Sequence, residues 1–350
     1  MKEYINLLCQ LIETPSLSRS EHEAAQVLRQ FIRKKGVEYE VVEQNTILRN
    51  RHWNEKKPTL LLNSHIDTVK PAENWSYQPF NATCEGDKIT GLGSNDAGAS
   101  VVTLLAVFFH FYAEENLPYN LMYIASAEEE VSGKNGMESL IAQIGDIELA
   151  IVGEPTQMHL AVAEKGLMVL DCQSYGKSGH AARNEGENAI YNAIEAIHIL
   201  RNYQFEKTSD FLGAVKMSIT QINAGYQHNV VPDVCNFVVD VRTNEMYSNH
   251  EVLEIIQALV SCDVNARSTR LNSSSIARNH PLVLRGIDLG RELYGSPTLS
   301  DQALMPFASV KIGPGDSARS HTADEYILIS EMEEALALYI QLLDGLTISV

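Results

Sequence analysis

The sequence predicts an α/β protein, a mostly parallel sheet with helices on both faces, interrupted by a smaller inserted α+β domain. Three observations carry this reading. Short and almost wholly apolar runs, "TLLLN", "LMYIAS" and "LAIVG", alternate with stretches of helical periodicity, as strands covered on both faces do. After residue 156 the texture changes to the order β-α-β-β-α-β, and the first texture returns from Pro281. The 350 residues are also enough for two domains.

Each element has a local reason. "MKEYINLLCQLIETPS" reads as a helix and is too polar for a signal peptide. In "SEHE", Ser20 and Glu23 have capping-box spacing, and Ala24, Val27, Leu28, Phe31 and Ile32 then recur at helical intervals, which predicts a helix over 20–35. Strands are expected at 39–44, 58–64, 119–126 and 148–153, with helices at 98–113 and 134–143. The run "GASVVTLLAVFFHFY" falls short of the ~20 apolar residues of a membrane span, so it reads as a buried helix. The insert is expected as strand 161–175, helix 187–202, strands 215–223 and 234–242, helix 249–260 and strand 264–270, a ferredoxin-like pattern. "LNSSSIARNH" has linker composition; a helix to Tyr294, a strand at 307–312 and a closing helix at 329–344 complete the chain. The expected domains are therefore 1–158 with 275–350, and the insert 159–274.

Composition narrows the function classes. Hydrophobic residues are 45% and charged residues 21%, ordinary for a globular chain. A formal charge of −18 opposes nucleic acid or an anionic membrane as the main partner. Five scattered cysteines without a CxxC suit reduced thiols in a cytoplasm.

Five places could carry chemistry, and four lie where an expected strand ends, the usual position of ligands in parallel sheets. His65 and Asp67 in "SHIDTV" are two apart; in an extended strand they would leave the same face, carboxylate beside imidazole, as around a metal-bound histidine. A surface hydrogen bond would leave the same trace. Asp96 in "GLGSNDAGAS" precedes the buried helix and could simply cap it. Glu128, Glu129 and Glu130 follow an apolar strand; such a run is commonly a solvated face, yet clustered carboxylates also call for a cation. Glu154 in "VGEPT" stands one step past a strand, where Pro155 accounts for the turn but not for the acid. His321 lies in the loop "GPGDSARSHTADE" and is the one other histidine, among eleven, assigned with His65 to metal. Two imidazoles and several carboxylates at strand ends suit two divalent cations sharing one carboxylate, Zn²⁺ or else Co²⁺ or Mn²⁺.

The motifs "SHIDTV", "GLGSNDAG", "AEEEVSGKNG", "VGEPT", "GHAA" and "SHTADE", in this order, resemble the metallopeptidase family of acetylornithine deacetylase, succinyl-diaminopimelate desuccinylase, aminoacylase and glutamate carboxypeptidase. The resemblance spans nearly the whole chain. It implies that His65 and Glu154 hold one zinc, Glu130 and His321 the other, and that Asp96 bridges them. It further implies that Asp67 orients His65 and Glu129 is the general base, with Glu128 and Glu129 as the alternative register for base and ligand. His180 in "KSGHAAR" matches a histidine that reaches the partner's site in dimeric members and stabilises the oxyanion; Asn229 and Arg242 match positions that handle substrate. Arg242 at a strand end could equally be a surface residue. The implied activity is hydrolysis of an N-acyl amino acid by a cytoplasmic homodimer. N-acetylornithine or N-succinylornithine, in arginine biosynthesis, comes first, and succinyl-diaminopimelate or dipeptides are the alternatives.

The chain also departs from the family's usual G-R-G-x-x-D-x-K-G: Leu92 replaces the Arg, Gly98 the Lys and Ala99 the last Gly. Two readings from other classes compete. "GLGSNDAG" could cradle a phosphate, although it lacks a GK[ST] ending. A catalytically silent binder of amino-acid derivatives would keep the same residues.

Overall fold

The computed structural model describes residues 1–348. The chain forms two compact units, one holding 1–162, 275–294 and the chain from 300 onward, the other 163–274 and 295–299. The first unit thus runs four residues beyond the expected boundary at 158. The reason is local: the single strand expected over 161–175 is two strands, Leu160–Glu164 and Gly166–Tyr175, parted at Lys165. Ala161 still pairs with Lys311 of the first unit's sheet.

At the centre of the first unit four strands run parallel in the order Asn120–Ser126, Thr59–His65, Leu149–Val152 and Ser309–Lys311. Antiparallel strands flank them, Asn45–Arg49 beside Asn120–Ser126 and Leu160–Glu164 beside Ser309–Lys311. Every residue of Thr59–His65, Asn120–Ser126 and Leu149–Val152 is buried, as two covered faces require. Register, rather than composition, fixes where these strands finish. His65 pairs with Ser126, Asn63 with Val152, and Val152 with Lys311, so the carboxyl ends of the parallel strands lie at one edge of the sheet. The helix Ala99–Phe111 is buried except at Phe109 and His110, which agrees with the expected core helix. Among the described residues no helix is long and apolar enough to cross a membrane.

Three local expectations fail. The strand expected at 39–44 is a hairpin, Glu40–Val42 and Asn45–Arg49, turning at Glu43 with φ 52°, a conformation its side chain does not advertise. The helix expected to reach Tyr294 stops at Asp288; Gly290 at φ 75° turns the chain into the strand Leu293–Ser296. The Ser20–Glu23 capping box does not form: the helix is His22–Lys34, preceded by Glu21, whose buried carboxylate accepts from the amides of Arg19 (2.6 Å) and Glu128 (3.1 Å). A tertiary contact displaced the local one. The same box does form at Ser248 and Glu251.

The second unit carries a four-stranded antiparallel sheet ordered Lys216–Ala224, Val234–Thr243, Gly166–Tyr175 and Asp263–Ala266. This is the ferredoxin-like arrangement. Burial alternates along Gly166–Tyr175 and Val234–Thr243, so one face is packed. Met168, Leu170, Phe237 and Val239 meet Ala193, Leu200, Val252 and Ile256 of the helices Ala189–Asn202 and Asn249–Leu259 there.

Candidate metal centre

The parallel strands end beside one another, so the loops beyond them converge. His65 closes the strand Thr59–His65 and is buried. Its Nδ1 lies 2.9 Å from the backbone oxygen of Asp67, whereas the Asp67 carboxylate is 3.5 Å away. The two side chains do lie beside each other, as the spacing predicts, and the main-chain oxygen of Asp67, closer still, helps to orient the ring. The Asp67 carboxylate serves the next loop, accepting from the amides of Glu129 (3.0 Å) and Glu130 (3.2 Å) and from Ser18 Oγ (2.7 Å). One aspartate thus ties His65 to the glutamate run.

Asp96 lies in the irregular turn Ser94–Gly98 and does not cap the helix beyond it. Its two oxygens face two imidazoles, Oδ1 at 3.2 Å from His65 Nε2 and Oδ2 at 3.6 Å from His321 Nε2. The three glutamates separate by direction. Glu128, at φ 56°, turns to the adjoining loop, where Asn135 Nδ2 donates to it at 2.8 Å and the absence of a side chain on Gly133 leaves room for its carboxylate. Glu129 Oε2 lies 3.9 Å from His65 Nε2, and the Glu130 oxygens lie 3.1 Å from His321 Nε2. Glu154 Oε1 is 3.7 Å from His65 Nε2. Donor atoms of His65, Asp96 and Glu130 all fall within 4.8 Å of one another, as do those of His65, Glu129 and Glu154.

So many carboxylates in one buried pocket repel. Two unit charges 4 Å apart interact by about 4 kcal/mol at an effective dielectric constant of 20, enough to shift protonation. Burial raises the pKa of Glu129; His65 opposes this, but Glu154, Asp301 and Glu130 push the same way as burial and it stands well above the ordinary carboxyl value. Burial likewise lifts Glu154 to about 8, against the opposing charges of His65 and Lys311 and with Asp96 and Glu130 adding to the rise. For His65 burial disfavours the imidazolium, yet Glu129, Asp67, Asp96 and Glu154 outweigh it and hold the pKa well above the usual imidazole range. The hydrogen bond to Glu130 raises His321 to about 9. Divalent cations would remove the repulsion. The donor set, imidazole nitrogen with carboxylate oxygen, fits borderline cations such as Zn²⁺, Co²⁺ or Mn²⁺.

Three sequence candidates belong to the second unit. His180 pairs with Val230 in a two-stranded ribbon, and the amide of Ala181 donates to the Asn229 carbonyl, so His180 and Asn229 are close neighbours. Arg242 has its guanidinium forked onto Asp240, at 2.9 and 3.2 Å, two residues back along the same strand face.

Two buried acids near the centre escaped the sequence reading. Asp301, raised to about 6 by burial, accepts from Ser126 Oγ at 2.5 Å; nothing in "TLSDQALM" marks it. Glu325 accepts from the amides of Gly93, Asn95 and Asp96, and its only signal was its place four residues after His321 in "SHTADE". The departures from the family motif also have a setting. A Cβ on Gly98 would run into the Gly93 carbonyl oxygen and Leu8 Cδ1, and Leu92 is buried. Gly98→Ala is expected to destabilise the fold by ~1–3 kcal/mol, checked by denaturant unfolding of the purified protein.

Residues 61–345 match the peptidase family M20/M25/M40. The succinyl-diaminopimelate desuccinylase of Orientia tsutsugamushi (strain Boryong) is 24% identical over 344 residues, covering 93% of this chain and 85% of that protein. Among solved structures, aminopeptidase PepT of Bacillus cereus superposes with a TM-score of 0.78 at 19% identity, covering 98% of each chain. The YXEP protein of Bacillus subtilis, described as a dinuclear metal binding peptidase, superposes with a TM-score of 0.74 at 17% identity, covering 99% of each chain. The molecule is therefore a hydrolase that acts on amide bonds. More narrowly, the chain belongs to the peptidase family M20/M25/M40.

Proposed function

We propose that this hydrolase removes the acyl group from a small N-acylated amino acid, using two divalent cations. The observation that carries the reading is Asp96, one carboxylate with an oxygen turned to each of two imidazoles. In this assignment His65 and Glu154 would hold one cation and Glu130 and His321 the other, with Asp96 shared between them; zinc is the expected metal and Co²⁺ or Mn²⁺ the substitutes. Such a pair, when bound, supplies Lewis acidity to an acyl carbonyl and lowers the pKa of a nearby water.

Glu129 is the general base. It lies at the centre without pairing closely to either imidazole, so its carboxylate is placed to take a proton from the attacking water and pass it to the leaving amine. The alternative register is disfavoured because Glu128 is occupied by Asn135. Asp67 acts as a positioning residue for both His65 and the Glu129–Glu130 backbone.

His180 and Asn229 are assigned to the oxyanion and the substrate. Asn229 Oδ1, buried without a hydrogen-bond partner among the described residues, supports such a role. Arg242 remains a candidate for a substrate carboxylate, which would have to displace Asp240. Exposed Tyr191, Ile194 and Ile199 on one helix and Ile222 on the open edge strand Lys216–Ala224 support a homodimer through the second unit, with that unit acting as dimerisation and lid domain. Five free thiols favour a cytoplasmic setting.

The substrate reading rests on the motif resemblance: N-acetylornithine or N-succinylornithine, in arginine biosynthesis. The name of the Orientia relative favours succinyl-diaminopimelate as a second reading. A panel of acylated ornithine, lysine and diaminopimelate with short dipeptides, run with and without a chelator alongside metal analysis, tests this. Chelator-sensitive release from acyl-ornithines above all others is the expected result. Preference for succinyl-diaminopimelate selects the second reading, and metal-replete protein inert on the whole panel overturns the hydrolytic one.

A further inference from the structure

We propose that Glu325 is a positioning residue that holds the bridging carboxylate of Asp96 in register with His321, and so sets the affinity of the centre for its cations. The inference rests on the proposed metal centre and gives a role to a residue that is not among its proposed ligands. Three backbone amides converge on this one carboxylate: Gly93 N donates to Oε2 at 3.0 Å, and Asn95 N and Asp96 N both donate to Oε1 at 2.9 Å. Glu325 is 2% exposed, and its own carbonyl accepts from Gly91 N at 2.9 Å. The turn that presents Asp96 is therefore held at four amides by a single residue 229 positions away in sequence.

That residue is four places after His321, on the same loop. Immediately beyond it the strand Tyr326–Leu328 pairs with Lys88–Thr90, which fixes where Glu325 stands. Asn95 completes the link from the other side. Its Nδ2 donates to the Asp316 carbonyl (3.1 Å) and Ser320 Oγ (3.2 Å), and its Oδ1 accepts from Asp316 N (3.0 Å). The loops carrying Asp96 and His321 are thus tied at two places, while the two side chains themselves stand 3.6 Å apart with room for an ion to bind both. A ligand pair spaced this way depends on its backbone supports, because an error of about 1 Å in the loop is a large fraction of a metal–ligand bond of roughly 2 Å.

Glu325→Gln keeps the shape but leaves one acceptor oxygen and turns an NH₂ toward a backbone amide. The test titrates metal-depleted, full-length parent and variant with Co²⁺, reading visible absorption and chelator competition, and monitors amide hydrogen exchange without metal. The expected result is Co²⁺ binding weakened about 10–100-fold, a changed absorption band, and faster exchange confined to the 93–96 turn. Should Glu325→Gln not fold, Glu325→Asp, which keeps the charge and shortens the reach, is read in the same titration with the same expected direction. Parent that binds two Co²⁺ beside a folded variant of equal affinity and identical spectrum overturns the role of Glu325 and leaves the metal centre standing. Parent that takes up no Co²⁺ overturns both.

Discussion

Glu129→Gln lowers kcat by about 10²–10⁴-fold and leaves the metal content of the protein unchanged. The expectation comes from position. Glu129 is the one glutamate of its run that is neither consumed by Asn135, as Glu128 is, nor paired at 3.1 Å with His321, as Glu130 is. Gln has the same shape and still offers an oxygen to the pocket, but it cannot accept and return a proton at neutral pH. Gln also keeps the volume of the side chain, so the variant is expected to fold as the parent does. Steady-state kinetics with metal analysis on one preparation makes the check. Turnover within a few-fold of the parent would remove Glu129 from the role of base, and loss of metal would make it a ligand.

Asp96→Asn removes both cations together. Because its oxygens face His65 and His321 separately, a neutral amide at this position weakens both halves of the centre, by more than the roughly 10–100-fold that loss of an outer hydrogen-bond partner costs. A ligand present at 100 times its dissociation constant stabilises a fold by about 2.7 kcal/mol. The parent should therefore show a clear rise in Tm on addition of Zn²⁺ or Co²⁺, whereas Asp96→Asn should show almost none while melting close to the metal-depleted parent. A variant that still takes up two ions would mean that Asp96 does not bridge.

These expectations join residues that are far apart in sequence, and they separate what was legible from what was not. The apolar strands were readable because burial on both faces demands continuous Val, Ile and Leu, which leaves an unmistakable run. The helix Ala99–Phe111 and the β-α-β-β-α-β order of the second unit were readable for the same reason: periodicity records which faces are covered. The turn at Glu43, the helix stop before Gly290 and the lost capping box at Ser20 were not: the first two rest on left-handed backbone at single residues, and the third on a long-range partner of Glu21. At Glu21 the contact that won comes from Glu128, more than a hundred residues on.

The site divides along the same line. Acids and histidines placed just past strand ends could be picked out singly, each with a bland explanation of comparable weight. Asp96 as a helix cap and Glu128–Glu130 as a solvated face were reasonable until the loops were seen together. Asp301 lay beyond reach in an unmarked segment; Glu325 stood inside "SHTADE", but its partners are backbone amides, which leave no trace in a sequence.

By itself the sequence determined the buried parallel strands, the main helices and the family, because each is recorded in residue patterns or in ordered motifs. Only the tertiary structure decided which oxygen faces which nitrogen. It turned Glu128 toward Asn135, set the backbone oxygen of Asp67 closer to the ring of His65 than its carboxylate, and brought Glu325 beneath Asp96. The reason is that direction and distance come from strand register and loop closure, quantities set by the packing of the whole unit and carried by no single stretch of chain.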